Sequence, residues 1–364
     1  MATVSGDVVP GQWIVLMKPY VSDGGKEAHL ASVKAMTDDE QNPFACSTHV
    51  EFDMPECRAY SAKFDLPTKE QIEKMDEVLS IEPVRYFEHC QRTTQDNCPW
   101  GLRRISQLGQ VQPNGPYQYS YPSNATGVGT VAYIIDTGIN ESHIEFENRA
   151  SRGPKFVTSA TPTSDDDVLG HGTHVAGTVG SRAYGVAKSA KIISVKVFSD
   201  RTRLARTDDI ILALNWIRND AHGKKAVVNM SLGGAKSDAL NLNVAGLGLA
   251  ELKSPASEPL AITVAAMDKT DTIASYSNYG KLVDVFGPGT GVTSAWIGSN
   301  NANNTISGTS MATPHVTGLI CCLLSDQDLK DPTPYGVISQ MTIRADKNRV
   351  LGLDKLTSNS IIQV

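Results

Sequence analysis

Ser310, His171 and Asp136 are the residues through which this chain could do covalent chemistry. Ser310 lies in Ser307-Gly308-Thr309-Ser310-Met311-Ala312-Thr313-Pro314-His315, between a polar, Asn-rich loop (Ser299 to Thr305) and the apolar run Val316 to Leu324. The pattern reads as a loop turning sharply at Gly308 into a buried helix, with Ser310 near the helix N-terminus. Unpaired N–H groups and the positive end of the helix dipole would face an anion forming beside it. A serine at a helix start also serves as a plain N-cap, so it counts as a nucleophile only with a base in reach. His171 is the candidate base, opening a helix of small residues in Gly170-His171-Gly172-Thr173-His174-Val175-Ala176-Gly177. Asp136 follows the apolar strand Val131 to Ile135, in Ile135-Asp136-Thr137-Gly138, a place where a turn-forming acid is also common. Together the three make a nucleophile, a base and an orienter. Ser310 Oγ would attack a carbonyl, His171 would take and return the proton, and Asp136 would hold the tautomer and stabilise the imidazolium.

Other chemistries fit the same residues less well. The D-T-G string alone would allow an aspartic protease, but that mechanism needs two carboxylates sharing a proton, and no second D-T-G or D-S-G occurs. His171 and His174, three apart, could face a zinc ion, yet no Glu stands in a general-base position and no third ligand is evident. A small-molecule esterase would use the same triad.

These residues need a scaffold. In 364 residues there is room for one large domain and a small one, or for two domains. Apolar content of 40% and charged content of 20% mark an ordinary globular chain whose core does not need disulfides. A net charge of −6 without a Lys/Arg run argues against nucleic-acid and anionic-membrane partners. No apolar stretch approaches the roughly 18 residues that cross a bilayer, and the N-terminus shows no cationic segment followed by an apolar one, so no signal peptide is expected in the chain as given. Cys46, Cys57, Cys90 and Cys98 could form two disulfides in an oxidising compartment, with the pairing open. Cys321 and Cys322 read as packing residues.

Residues 9–92 form a first unit with a β-α-β-β-α-β order. It comprises a strand from Gln12 to Lys18, a helix carrying Leu30, Val33 and Met36, alternation over Tyr60 to Phe64, a helix capped at Thr68 with Gln71, and a strand at Val84 to Phe87. Gln91 to Asn97 lacks periodicity and reads as an exposed linker. The second unit, 99–364, alternates buried strands (Val131–Ile135, Lys191–Val197, Ala226–Met230, Ala261–Ala266, Leu282–Phe286) with helices near 171–180, 207–222 and 237–250. The fold class is α/β, a mostly parallel sheet flanked by helices, preceded by a small α+β domain. Chemistry in such folds gathers beyond the carboxyl ends of the strands.

Several strings then carry a resemblance: I-I-D-T-G, G-H-G-T-H-V-A-G-T-V-G, N-M-S-L-G-G (Asn229 to Gly234), S-P-A-S-E-P (Ser254 to Pro259), S-N-Y-G (Ser277 to Gly280), V-F-G-P-G (Val285 to Gly289) and G-T-S-M-A-T-P-H. In this order they resemble the subtilisin-like serine proteases, most closely the proteinase K branch, over almost all of 99–364. The Asp…His…Ser order is that of subtilisin. The resemblance implies an endopeptidase zymogen acting on protein and peptide substrates, with Asp136, His171 and Ser310 as the triad. It also implies that Ser231, Leu232, Gly233 and Gly234 line the pocket before the scissile bond. Asp284 with the carbonyls of Pro259 and Ala261 would hold a structural calcium, one carboxylate with backbone oxygens suiting a hard cation. Residues 9–92 would be an intramolecular inhibitory propeptide, cut within Gln91 to Asn97, and the product a secreted monomer.

The pattern breaks in two places. Between Gly234 and Ser254 the family has a helix, a strand and an A-A-G-N string whose Asn donates to the oxyanion, whereas here 19 residues, Ala235 to Lys253, fill the interval. Val244-Ala245-Gly246-Leu247 is the nearest remnant, and Asn241 and Asn243 match nothing in the motif. Losing such a donor costs about 10²–10³ in turnover, a figure belonging to subtilisin itself. The alternative implied is a catalytically impaired paralogue or truncated isoform that acts as a binding or inhibitory module. At the substrate edge, Ser199 to Arg206 replaces a Gly-rich strand, and its three arginines would either favour acidic substrates or form a solvated rim. Sequons at Asn124, Asn140, Asn229 and Asn303 mildly support secretion.

Overall fold

A computed structural model describes residues 8–37, 48–54, 57–85, 92–159, 162–244, 253–258, 261–353 and 356–364. The chain divides into two units, Met1–His89 and Cys90–Val364.

In the first unit, β1 (Val8–Met17), α1 (Asp23–Thr37), β2 (Thr48–Met54), β3 (Cys57–Lys63), α2 (Leu66–Ile72) and β4 (Val78–Arg85) give a β-α-β-β-α-β chain. Its antiparallel sheet runs β2-β3-β1-β4. Val15, Val33, Tyr60, Phe64 and Ile72 are buried together, because alternate residues of the central strands meet one stripe of each helix. The second helix begins earlier than its Thr68–Gln71 pattern predicts. Asp65 is the N-cap and accepts from the Thr68 amide at 2.9 Å, while Pro67 in the first turn has no N–H to leave unpaired.

The second unit opens with β5 (Arg92–Asp96), α3 (Trp100–Arg104) and β6 (Gln118–Pro122). The linker expected over Gln91 to Asn97 is therefore a strand from Arg92 onward, paired antiparallel with β6; Gln91 lies outside the described residues. Its pairing comes from a distant segment: Arg92 donates to Ser120 and Gln118 donates to Asp96. Next come β7 (Thr130–Asp136), β8 (Ala150–Lys155), α4 (His171–Gly180), β9 (Lys191–Lys196), α5 (Thr207–Asp220) and β10 (Lys225–Asn229). The strands form a parallel sheet in the order β10-β7-β9-β8. Every residue of β7 is buried, as a central parallel strand covered on both faces must be.

β11 (Gly234–Ala235), α6 (Asp238–Val244) and β12 (Lys253–Ser254) follow, then β13 (Val264–Met267) and β14 (Val285–Pro288), a hairpin of β15 (Val292–Ala295) and β16 (Asn303–Ile306), α7 (Thr309–Ser325), α8 (Pro334–Arg344), β17 (Asp346–Lys347) and β18 (Ser360–Ile361). β13 and β14 are parallel and belong to a second sheet, β13-β14-β18-β17. The helix expected over 237–250 is described only as far as Val244. Among the described residues β10 ends one sheet and β13 ends the other, so the expected parallel sheet is in two parts.

Cys98, Cys321 and Cys322 are free, buried thiols. Cys98 is thus no disulfide partner. It packs in the main core, where burial pushes its thiol up to about 11. Cys46 and Cys90 lie outside the described residues. Asn229, one of the four sequon asparagines, has no exposed surface and cannot accept a glycan in the folded chain. No helix among the described residues is long and apolar enough to cross a membrane.

Candidate active site

The carboxyl end of β7 delivers Asp136, and the first residue of α4 is His171. His171 Nδ1 lies 2.7 Å from Asp136 Oδ1, the same oxygen that accepts the Thr137 amide at 2.7 Å. Asp136 is completely buried and its Oδ2 has no hydrogen-bond partner, so its charge is directed at the imidazole. The Asp136 carboxylate, through its charge first and its hydrogen bond as well, raises the His171 pKa above 6.5 against the opposing effect of burial; Asp167 adds to the rise.

Two devices hold α4 against the strand end. Gly170 has φ +87°, and a Cβ at Gly172 would fall 2.1 Å from the Gly138 carbonyl, so the helix approaches the turn as closely as backbone permits. Asp167 is the second device, and it was not singled out from the sequence. This buried carboxylate accepts five hydrogen bonds. They come from Thr137 Oγ1 (2.9 Å), the amides of Leu169 (3.1 Å), Gly170 (2.9 Å) and Thr173 (3.0 Å), and Thr173 Oγ1 (2.7 Å). Thr137 Oγ1 in turn accepts the Gly172 amide. Asp167 thereby holds the turn that leads into the histidine helix together with the Thr173 amide of its first turn, and ties both to the residue after Asp136. The available signal was an acid four residues before His171, the kind of residue that helix starts prefer. Buried Lys196 extends the same support, donating to the carbonyls of Thr137 and Asp166 and to Asp200.

Ser310 is in the first turn of α7 and half-buried. Gly308 has φ 163°, an extended conformation open to any residue, so no left-handed turn is made there. Ser310 is also not the N-cap: its hydroxyl donates to the Ser231 carbonyl at 3.2 Å. The partner contact runs the other way as well, because Ser231 Oγ donates to the Ser310 carbonyl at 3.0 Å. Pro314 explains why that carbonyl is free: four residues on in the helix, it has no N–H to give. Asn229 Nδ2 donates to Ser231 Oγ and Thr317 Oγ1 donates to Asn229 Oδ1, both at 2.9 Å, so a relay of side chains joins α7 to the end of β10.

The remaining predicted positions divide. Ser231, Leu232 and Gly233 line a cavity of about 350 Å³ that also reaches Ser310, whereas Gly234 belongs to β11 and pairs with Ser254. Asn241 is buried and engaged structurally, donating to Ser257 and accepting from Ser254. Leu247 lies outside the described residues. His174 Nε2 donates to the Val292 carbonyl (3.0 Å), and burial pushes its pKa down to about 4, the behaviour of a neutral core histidine. Among the described residues no group of three or more His, Cys, Asp or Glu could hold a metal ion. Asp284 Oδ2 accepts the Thr263 amide at 2.7 Å; Ala261 is described, and Pro259 lies outside the described residues.

A buried acid held on an imidazole at the end of a parallel strand, with a serine in the first turn of another helix, fits a serine protease of the subtilisin class. The chain belongs to the subtilase family, whose model matches residues 127–356. It is 40% identical over 354 residues to alkaline protease 1 of Aspergillus clavatus, covering 90% of this chain and 85% of that one. It is 41% identical over 343 residues to subtilisin-like proteinase Mp1 of Magnaporthiopsis poae, covering 87% and 83%. Among solved structures, a cold adapted subtilisin-like serine proteinase superposes with a TM-score of 0.63 at 37% identity, covering 73% of this chain and 98% of that one.

Proposed function

We propose that the protein is an endopeptidase zymogen that hydrolyses internal peptide bonds through an acyl-enzyme on Ser310. The supporting observation is the 2.7 Å contact between His171 Nδ1 and the buried Asp136 carboxylate. With its proton on Nδ1, His171 presents Nε2 as the base. Ser310 Oγ leaves the Ser231 carbonyl by rotation about its side chain, passes its proton to Nε2 and attacks the substrate carbonyl. Asp136 stabilises the imidazolium until the proton reaches the leaving amine. The first-turn amides of α7, including that of Ser310, supply positive potential to the oxyanion.

In this reading residues 9–92 are the inhibitory propeptide, released by a cut within Gln91 to Asn97, and the mature protein is an extracellular monomer acting on protein and peptide substrates. A structural calcium would sit on Asp284 and the Ala261 carbonyl and supply stability rather than chemistry. A second reading, a subtilase of impaired turnover acting as a binding or inhibitory module, is favoured by one feature: Asn241 is committed to Ser254 and Ser257 and is no oxyanion donor.

A fluorophosphonate probe separates these readings. Ser310 is expected to be labelled in the processed protein, and Ser310→Ala to abolish labelling. Labelling with peptide turnover about 10²–10³ below that of a subtilisin would select the impaired enzyme. A folded, processed protein that does not react at all overturns both the mechanism and the triad.

A further inference from the structure

With Ser310 as the attacking serine of the mechanism above, we propose that the Ser231 hydroxyl is a positioning group for it, standing in for the helix N–H that Pro314 removes. Ser310 is where α7 cannot hold itself. Its carbonyl would be paired by the amide of residue 314, and a proline has none. The Ser231 hydroxyl makes that bond instead, donating to the Ser310 carbonyl at 3.0 Å. The Ser310 hydroxyl in turn donates to the Ser231 carbonyl at 3.2 Å. The attacking side chain and the carbonyl of the same residue are thus both held by one residue of the segment that follows β10.

Buried neighbours fix the direction of the bond. Asn229 Nδ2 donates to Ser231 Oγ at 2.9 Å, and Asn229 Oδ1 accepts from Thr317 Oγ1 at 2.9 Å. The other contact of the Thr317 hydroxyl, to the Thr313 carbonyl, is longer at 3.3 Å. With Nδ2 donating to its oxygen, the single proton of Ser231 is left for the Ser310 carbonyl. Thr317 lies on α7 itself, so the chain of bonds leaves the helix and returns to the carbonyl that the proline exposes. Asn229, Ser231 and Thr317 are all buried, and water does not compete freely for these groups. Ser231 lines the 350 Å³ cavity floored by Val316 and Ile320 of α7, but its hydroxyl is committed to Asn229 and Ser310. Its side chain therefore acts on the nucleophile and not as a polar group for a ligand. Losing the bond would free the first turn of α7 to shift, and attack geometry is sensitive to displacements of about 1 Å.

Ser310–Met311 is the only Ser-Met step in the chain, so isotopic labelling of serine carbonyls and methionine amides gives a single NMR correlation that reads the Ser310 carbonyl. In the full chain Ser231→Ala should move this carbonyl upfield, and Ser231→Thr, which keeps a hydroxyl, should restore it. In the processed protein Ser231→Ala should slow fluorophosphonate labelling and lower kcat about tenfold, with KM within about twofold, and Ser231→Thr should recover the rate. Pro314→Ala supplies the missing amide. Added to Ser231→Ala, it should return the carbonyl downfield and shrink the loss of rate to under about threefold. A carbonyl unmoved by Ser231→Ala in a chain with native circular dichroism overturns the proposal. So does a rate loss that is equal with proline and with alanine at position 314, which would mark an effect on the pocket alone. The expected carbonyl shifts in a protein that is never labelled at Ser310 would uphold the bond and count against the protease reading.

Discussion

The two halves of the candidate site are built differently. On the Asp136–His171 side, β7 is flanked by strands on both edges, Asp167 accepts five hydrogen bonds and Lys196 donates three more. On the Ser231–Ser310 side, β10 has a strand on one edge only among the described residues, and its Val227 and Val228 line a cavity. The Asp136–His171 contact is therefore over-determined, whereas among the described residues Ser310 is tied to β10 through the shorter Ser231–Asn229–Thr317 relay. Preorganised donors matter most on the Ser310 side, because they act only if they need not move during the reaction.

Removing the acid should have the largest effect. Asp136→Asn is expected to lower kcat by about 10⁴, the loss known for the corresponding change in serine proteases, because the amide favours the wrong imidazole tautomer. A loss below tenfold would show that the serine side, not proton transfer, already limits the rate. The same contact sets a pH limb. In the proposed mechanism neutral His171 is the base; its pKa is raised, so kcat/KM should fall as pH drops through a value above 6.5, and Asp136→Asn should move that limb downward. A limb below 6.5 in the unsubstituted protein contradicts the electrostatics described.

Asp167→Ala is expected to destabilise by about 3 kcal/mol or more, since several buried donors lose their acceptor at once, at about 1–3 kcal/mol each. Urea unfolding checks this, and a loss under 1 kcal/mol would mean the histidine side is less rigidly held than its bonds indicate. Ile320→Phe tests the other half. Filling the cavity floor should add about 0.5–2 kcal/mol, whereas a similar insertion into a tight core would destabilise. The smallest effect belongs to the rim. Arg206 is paired with Asp208, while Arg201 and Arg203 are exposed. Replacing either of the latter with Ala should change stability by less than about 0.5 kcal/mol, and kcat/KM for acidic peptides by less than a few-fold if they form a solvated rim.

Much of this was legible in the residues. The apolar runs at Val131–Ile135, Lys191–Val197 and Ala226–Met230 and the small-residue helix from His171 to Gly180 are local patterns whose strands and helix fall where they place them, whereas β13 and β14 each begin three residues later than the runs at Ala261 and Leu282. The first unit's element order was readable for the same reason. Strand β5 was not, because Arg92 to Asp96 has no apolar alternation of its own and is a strand only through β6, more than twenty residues away.

What the sequence determined by itself is the identity of the groups: a serine at a helix start, a histidine at another, an acid at a strand end, and the shortened interval between Gly234 and Ser254. Tertiary structure decided how they are held. The Ser231–Ser310 pair joins residues 79 apart, and it exists because Pro314 frees a carbonyl that Ser231 happens to reach. The cavity lined by Val227, Ile262 and Ile320 likewise exists only because segments far apart in the chain meet. Periodicity reports which face of an element is buried; which partner meets it is settled by contacts that no local pattern encodes.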